Sequence, residues 1–406
     1  MRKSLYLISA ALVSASLISC AEKEQSLMER AEALQRSIVT IDTHVDTPMS
    51  LLRPDFDVTQ NGTGCVDFPK MQAGALGAEC FAVFTSQRYE EGYVDAMYEK
   101  SKRLLDTMHT IAAANPDIVG IASCPADLYA LRAAGKLAIM PTVENSLTVG
   151  TQIERMDTLY AKGVRMFGLC HSLNNNICDS SSDAKGAVFE GLSEFGEEFV
   201  ARANALGAII DVSHASDDTF FDVVKLSKTP IAASHSSVRA ITNHDRNFSD
   251  EMLVALKENG GVIQICILDA YIKEFPENAE YKAEIDAIRQ EYMAVPEGPD
   301  QMTARRALRG KMAEIKSKYP DQNATIKDYV DHIDYVVEKI GIDHVGIGTD
   351  FDGGGGVADC KDVSQLIGVT AELLSRGYSD EDIEKIWGGN FIRVFNAAIA
   401  YKESLN

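Results

Sequence analysis

Seven residues of this chain have the types and neighbours that hydrolytic chemistry needs: His44, Asp46, Glu144, His171, His214, His235 and Asp350. His44 and Asp46 stand at i and i+2, which in an extended segment puts both on one face. The others each fall at the end of a short apolar run. The chain has only 8 histidines, and His44, His171, His214 and His235 close four such runs. A lone histidine there is more often a satisfied polar residue than a ligand, and a lone Asp or Glu is more often a helix N-cap. Gathering four imidazoles and three carboxylates is a different matter, because burying them unpaired is costly. A divalent metal removes that cost, and imidazole with carboxylate suits zinc. Three imidazoles and two carboxylates exceed what one tetrahedral ion with an open position takes. They fit two ions that share one carboxylate.

Something must hold these residues on one rim. The apolar, β-branched runs are Ile38–Asp46, Ala78–Ser86, Lys136–Glu144, Val164–His171, Gly207–His214, Pro230–Ser236, Gly261–Leu268 and His344–Phe351. Near-continuous apolar character is what parallel strands buried on both faces require. Helix-period segments such as Glu91–Ala114, Thr151–Lys162 and Glu194–Leu206 lie between them. Eight strands alternating with helices predict a single α/β domain, a TIM (β/α)8 barrel, with catalytic groups at the C-terminal strand ends. An open doubly wound sheet is the alternative, but no G-x-G-x-x-G phosphate loop follows the first run. Residues 269–330, between the seventh and eighth runs, are charged and predict a helical insertion over one end of the barrel. Some two-metal barrels bridge their ions with a carbamylated lysine on the fourth strand. Val164–His171 has no lysine, which leaves Glu144 as the better bridge.

Residues 1–19 predict a signal peptide, with basic Arg2 and Lys3, an apolar stretch from Leu5 to Ile18, and Leu17-Ile18-Ser19-Cys20 at its end. The last four resemble a bacterial lipobox, with Cys20 as the acylated residue and the mature chain exported and held on a cell membrane by its lipid. Residues 20–37 read as a helical tether, and 38–406 as the catalytic domain. The remaining cysteines (Cys65, Cys80, Cys124, Cys170, Cys178, Cys266 and Cys360) show no CxxC pair, so few or no disulfides are expected. The chain carries 60 acidic against 39 basic residues, a formal net charge of -21. That surface argues against a nucleic-acid partner.

Several stretches together resemble the membrane (renal-type) dipeptidase family of amidohydrolase-like metal barrels. They are Ile41–Pro48, Val66–Lys70, Asp211–His214, Ser234–Ser237, Asp245–Asn247, Gly341–Gly353 and Gly388–Phe395. The resemblance implies a metallo-dipeptidase with two Zn2+ per chain, acting on small dipeptides through a metal-bridging hydroxide. It implies that His44 and Asp46 hold one zinc, His214 and His235 the other, and Glu144 both. His171 would stabilise the oxyanion. Arg246 would pair with the substrate carboxylate, and Asp350 would move protons or hold the substrate ammonium. It further suggests a homodimer. One departure is that Asn145-Ser146 stands where the family has Gly-Gly, so substrate preference need not follow the family. Two other readings remain open: a two-metal hydrolase of another amide or lactone, and a lipid-anchored binding protein without catalysis.

Overall fold

The computed structural model describes residues 25–87, 92–295 and 301–405. The predicted signal peptide and Cys20 lie outside these residues. Nine parallel strands form: β1 (Ile41–Val45), β2 (Ala78–Phe84), β3 (Val119–Ile121), β4 (Leu137–Glu144), β5 (Met166–Gly168), β6 (Ile209–Asp211), β7 (Ala232–Ser236), β8 (Val262–Ile265) and β9 (Val345–Ile347). Eight of them pair in the order β1-β2-β4-β5-β6-β7-β8-β9. Two hydrogen bonds close the ring: Asp46 N–H donates to the Phe351 carbonyl and Asp350 N–H to the His44 carbonyl, both at 2.9 Å. The eight apolar runs are therefore the eight strands of a (β/α)8 barrel, shorter than the runs suggest. β3 was not expected. It is a three-residue strand that pairs with Leu137–Ile139 of β4, while β5 pairs with Thr142 and Val143 further along the same strand.

Alternation along the strands separates two cores. Ile41, Cys80, Met140, Met166, Ile209 and Val262 form one cluster with Phe391, Val394, Phe395 and Ala398 of the last helix, Asn390–Ser404. That cluster fills the barrel's N-terminal half, with the helix as its stopper. The residues next to them, Phe81, Ile139, Phe167, Ile210 and Ile263, pack outward against the surrounding helices. Helices after β5, β6 and β7 start alike. Ser193, Ser216 and Ser249 accept from Gly196, Thr219 and Met252 N–H, and acidic residues fill the first turns. Gly207 and Gly260 end two of these helices at φ 70° and 80°, which turns the chain back toward the next strand.

Between β8 and β9 lie helices Asp269–Ile272, Ala279–Ala294 and Gln301–Lys318. Asp269 anchors this insertion, accepting from Lys316 Nζ at 2.5 Å and from Ala324 N–H at 2.9 Å. The excursion ends at Thr325, the N-cap of the barrel helix Ile326–Ile340, rather than at 330. Among the described residues all seven cysteines are free, five of them buried.

Candidate metal centre and active site

The barrel brings the predicted residues to its C-terminal rim. His44 lies in β1 and His235 in β7. Asp46 follows β1, and Glu144 ends β4. His171, His214 and Asp350 lie just beyond the ends of β5, β6 and β9. Arg246 sits in the loop after β7. His214 and Asp350 adopt the left-handed region, φ 70° and 59°, which non-glycine residues rarely hold without a surrounding structure that enforces it.

Glu144 is the centre of the group. Its Oε2 is 3.6 Å from His44 Nε2. Its Oε1 is 3.1 Å from His214 Nε2 and 3.6 Å from His235 Nε2. His171 Nε2 stands 4.0 Å from the same Oε1, and Asp350 Oδ1 is 4.0 Å from His44 Nε2. Two sets of donors fall within ligand reach of one another: His44, Asp46 and Glu144, and Glu144, His214 and His235. A third set joins His44 and His235 to Asp211, which sequence reasoning gave no role.

The electrostatics favour an ion. Burial, and next Arg246, hold the His44 imidazole down at about 3. Burial lowers His214 and His235 as well, so all three rings stay neutral at physiological pH. Burial, Asp46 and Asp350 push the Glu144 carboxyl up. His44 Nε2 and Glu144 Oε2 are buried with no hydrogen-bond partner, and the Nε2 atoms of His214 and His235 face each other at 3.0 Å. With both ring protons on Nδ1, a cation between the two rings would take a lone pair from each. The donor set fits divalent metal on its own chemistry.

Other neighbours were not read from the sequence. Tyr271 places its ring 5.5 Å from the Arg246 guanidinium. Phe84 packs edge-on against His171 at 4.8 Å. Asp211 accepts from Ser234, whose hydroxyl also meets His235 Nδ1. The motif pair Asp211-Val212-Ser213-His214 and Ser234-His235-Ser236 carried that signal, but only the fold shows that the two segments touch.

A parallel barrel with imidazoles and carboxylates at the C-terminal ends of its strands defines a metal-dependent hydrolase. The chain belongs to the membrane dipeptidase family (peptidase family M19), whose model matches residues 28–406. The probable dipeptidase PvdM of Pseudomonas aeruginosa superposes with a TM-score of 0.81 and 34% identity, over 93% of this chain and 99% of that one. Dipeptidase ataJ of Aspergillus terreus is 27% identical over 400 residues, covering 90% of this chain and 86% of its own. Human dipeptidase 3 is 26% identical over 392 residues, covering 94% and 69%. The protein is thus a metallo-dipeptidase.

Proposed function

We propose that this dipeptidase cleaves dipeptides at a two-zinc centre held by His44 and Asp46 on one side, His214 and His235 on the other, and Glu144 between them. The observation that carries the reading is the Glu144 carboxylate, with one oxygen turned to His44 and the other to His214 and His235. Zinc bound there supplies Lewis acidity and a water acidified toward neutral pH.

The chain's own groups do the rest. Arg246, 4% exposed, offers a planar fork to the C-terminal carboxylate of the substrate. Its charge is close enough to depress the neighbouring imidazoles. His171 keeps a third of its side chain exposed and faces the open side of the centre. Ser172 Oγ lies 3.0 Å from its Nδ1. A hydroxyl donating there leaves the ring proton on Nε2, free to meet the oxyanion. Asp350 accepts a proton and passes it to the leaving amine. Burial, and then Asp46, raise its pKa, which makes it a stronger proton acceptor.

Export and anchoring through an acylated Cys20 belong to the same reading, supported by Arg2, Lys3 and the Leu17–Cys20 stretch. Among the described residues no helix is long and apolar enough to cross a membrane. Loss of labelled palmitate incorporation in Cys20→Ser checks the anchor.

The experiment is hydrolysis of L,L- and L,D-dipeptides and tripeptides by residues 21–406, before chelation, after it, and after zinc is restored. Zinc-restored cleavage of dipeptides alone is expected. No dipeptide cleavage by protein loaded with two zinc ions would shift the substrate to another amide or a lactone.

A further inference from the structure

Ser234, with Asp211 beyond it, meets His235 at Nδ1, the ring nitrogen opposite the one that faces Glu144. Ser234 Oγ donates to Asp211 Oδ2 at 2.6 Å and stands 2.8 Å from His235 Nδ1. A hydroxyl has one proton, and here the carboxylate takes it. The Ser234 oxygen must then accept from His235 Nδ1–H. That places the imidazole proton on Nδ1 and leaves Nε2 as a bare lone pair, 3.6 Å from Glu144 Oε1. The far end of the chain is pinned. Asp211 Oδ1 accepts from the backbone N–H of Ser213 at 3.0 Å and of Ser234 at 2.9 Å, so the carboxylate cannot turn over. All three residues are buried. His214 has no such arrangement, because its Nδ1 is buried with no hydrogen-bond partner.

We propose that the Asp211–Ser234 pair fixes the tautomer of His235 and thereby makes its Nε2 a metal donor. The two are positioning residues acting through His235, and the proposal rests on the reading of His235 as a zinc ligand. Groups that orient an imidazole in this way affect metal affinity by about 10- to 100-fold.

The pinning makes the direction of the chain testable. In Asp211→Asn the carbonyl oxygen stays on the two backbone N–H groups, and the new NH2 must face Ser234. It donates to the hydroxyl, the hydroxyl turns to donate to Nδ1, and the His235 proton moves to Nε2, where it blocks the metal. Ser234→Ala removes the relay without reversing it. Asp211→Asn is therefore expected to cost more affinity than Ser234→Ala, although it keeps more of the native shape.

The measurement is zinc binding by chelator competition at pH 8 on stripped wild type, Asp211→Asn, Ser234→Ala and His235→Ala. Alongside it, 15N spectra of histidine-labelled apo-protein report the tautomer, with the His235 signal identified by its loss in His235→Ala. The expected result is about 10-fold weaker binding of one ion in Ser234→Ala and a loss toward 100-fold in Asp211→Asn. The other ion is held as in wild type, and His235 switches from the Nδ1–H to the Nε2–H form in Asp211→Asn. Wild-type affinity in both variants, or a larger loss in Ser234→Ala than in Asp211→Asn, overturns the relay. If Asp211→Asn does not fold, Ser234→Ala and the wild-type tautomer decide: wild-type affinity or an Nε2–H ring overturns it. Two zinc ions still bound by His235→Ala would instead remove the ligand assignment, and the relay with it.

Discussion

Asp350 is held where few side chains rest. Its φ is 59°, its N–H donates to His44 O, and its carbonyl accepts from Gly353, Gly354 and Gly355 N–H. Asparagine tolerates this backbone, so Asp350→Asn keeps the loop and changes only the proton chemistry. Metal content and melting temperature should match wild type while kcat falls by about 10^2 to 10^4; a variant of equal activity would remove Asp350 from the mechanism. Gly353 makes a sharper test of geometry. A Cβ there would lie 2.2 Å from both Asp350 Oδ1 and Asp46 Oδ2. Gly353→Ala must displace both carboxylates, and a shift of about 1 Å in such groups costs on the order of 100-fold in kcat/KM. Gly353 is exposed, so the thermal stability of the metal-free protein should hardly change. Calorimetry beside kinetics separates the two effects. At this scale the sequence was informative about the groups themselves, because a run such as Gly348-Thr349-Asp350-Phe351-Asp352-Gly353 announces unusual backbone. It was silent on what stands behind them. Asp211 and Ser234 are 23 residues apart, and only strand pairing shows that they touch.

Elements were legible where periodicity was strong. Buried strands read as apolar runs, and several of the helices between them as helix-period segments. β3 was missed because three residues carry no period, and the insertion was cut too late because Thr325 begins a helix inside a charged stretch. The contacts that lock elements together are less visible still. His332, on Ile326–Ile340, accepts Val238 N–H on Nδ1 at 3.1 Å and meets the Ile272 carbonyl with Nε2 at 3.0 Å. It joins the helix to the β7 loop and to the root of the insertion. Burial lowers its pKa to about 4. A ring neutral in the folded state and protonated in the unfolded one contributes stability above the unfolded value of about 6.5. That stability is lost as pH falls toward 4. Relative to His332→Gln, metal-loaded wild type should lose about 1.4 kcal/mol per pH unit through this window, roughly 3 kcal/mol in all. Denaturant titrations at pH 7, 5.5 and 4.5 measure it, and parallel curves would refute it. Glu79 on β2 has the opposite sign. It pairs in register with Asp42, is fully buried, and neither of its oxygens has a hydrogen-bond partner. Burial, and then Asp42, raise its pKa well above the ordinary value. A carboxyl raised in the folded state costs stability once pH exceeds its unfolded value of about 4.3. Glu79→Gln should gain on wild type as pH rises from 5 to 8, and an unchanging difference would show Glu79 to be paired.

For the molecule as a whole, the barrel makes metal binding and folding one problem. The donors come from β1, β4 and β7 and from the segments after β1 and β6, so the centre exists only when the ring is closed. Closure was readable from eight runs. The stopper was not, because Phe391, Val394 and Phe395 look like any amphipathic helix face until they meet Ile41 and Ile209. The two halves of the barrel then differ in kind. Inside the ring, the N-terminal half is apolar and packed against the last helix. The C-terminal half buries neutral imidazoles and carboxylates whose partners include each other at 3.0–4.0 Å. A metal-bound folded state and a metal-poor unfolded one are linked by mass action, worth about 2.7 kcal/mol for each site at 100 times its dissociation constant. Chelation should therefore lower Tm, and, if the proposed centre binds zinc, Tm should climb with the logarithm of free zinc until the centre is filled. If the centre takes two ions of unequal affinity, the climb has two segments, and His235→Ala keeps only one of them. Calorimetry at a series of buffered zinc concentrations tests this directly. A Tm indifferent to chelator would mean that the rim is stable without its ions and that the packed lower half alone sets the stability of the fold.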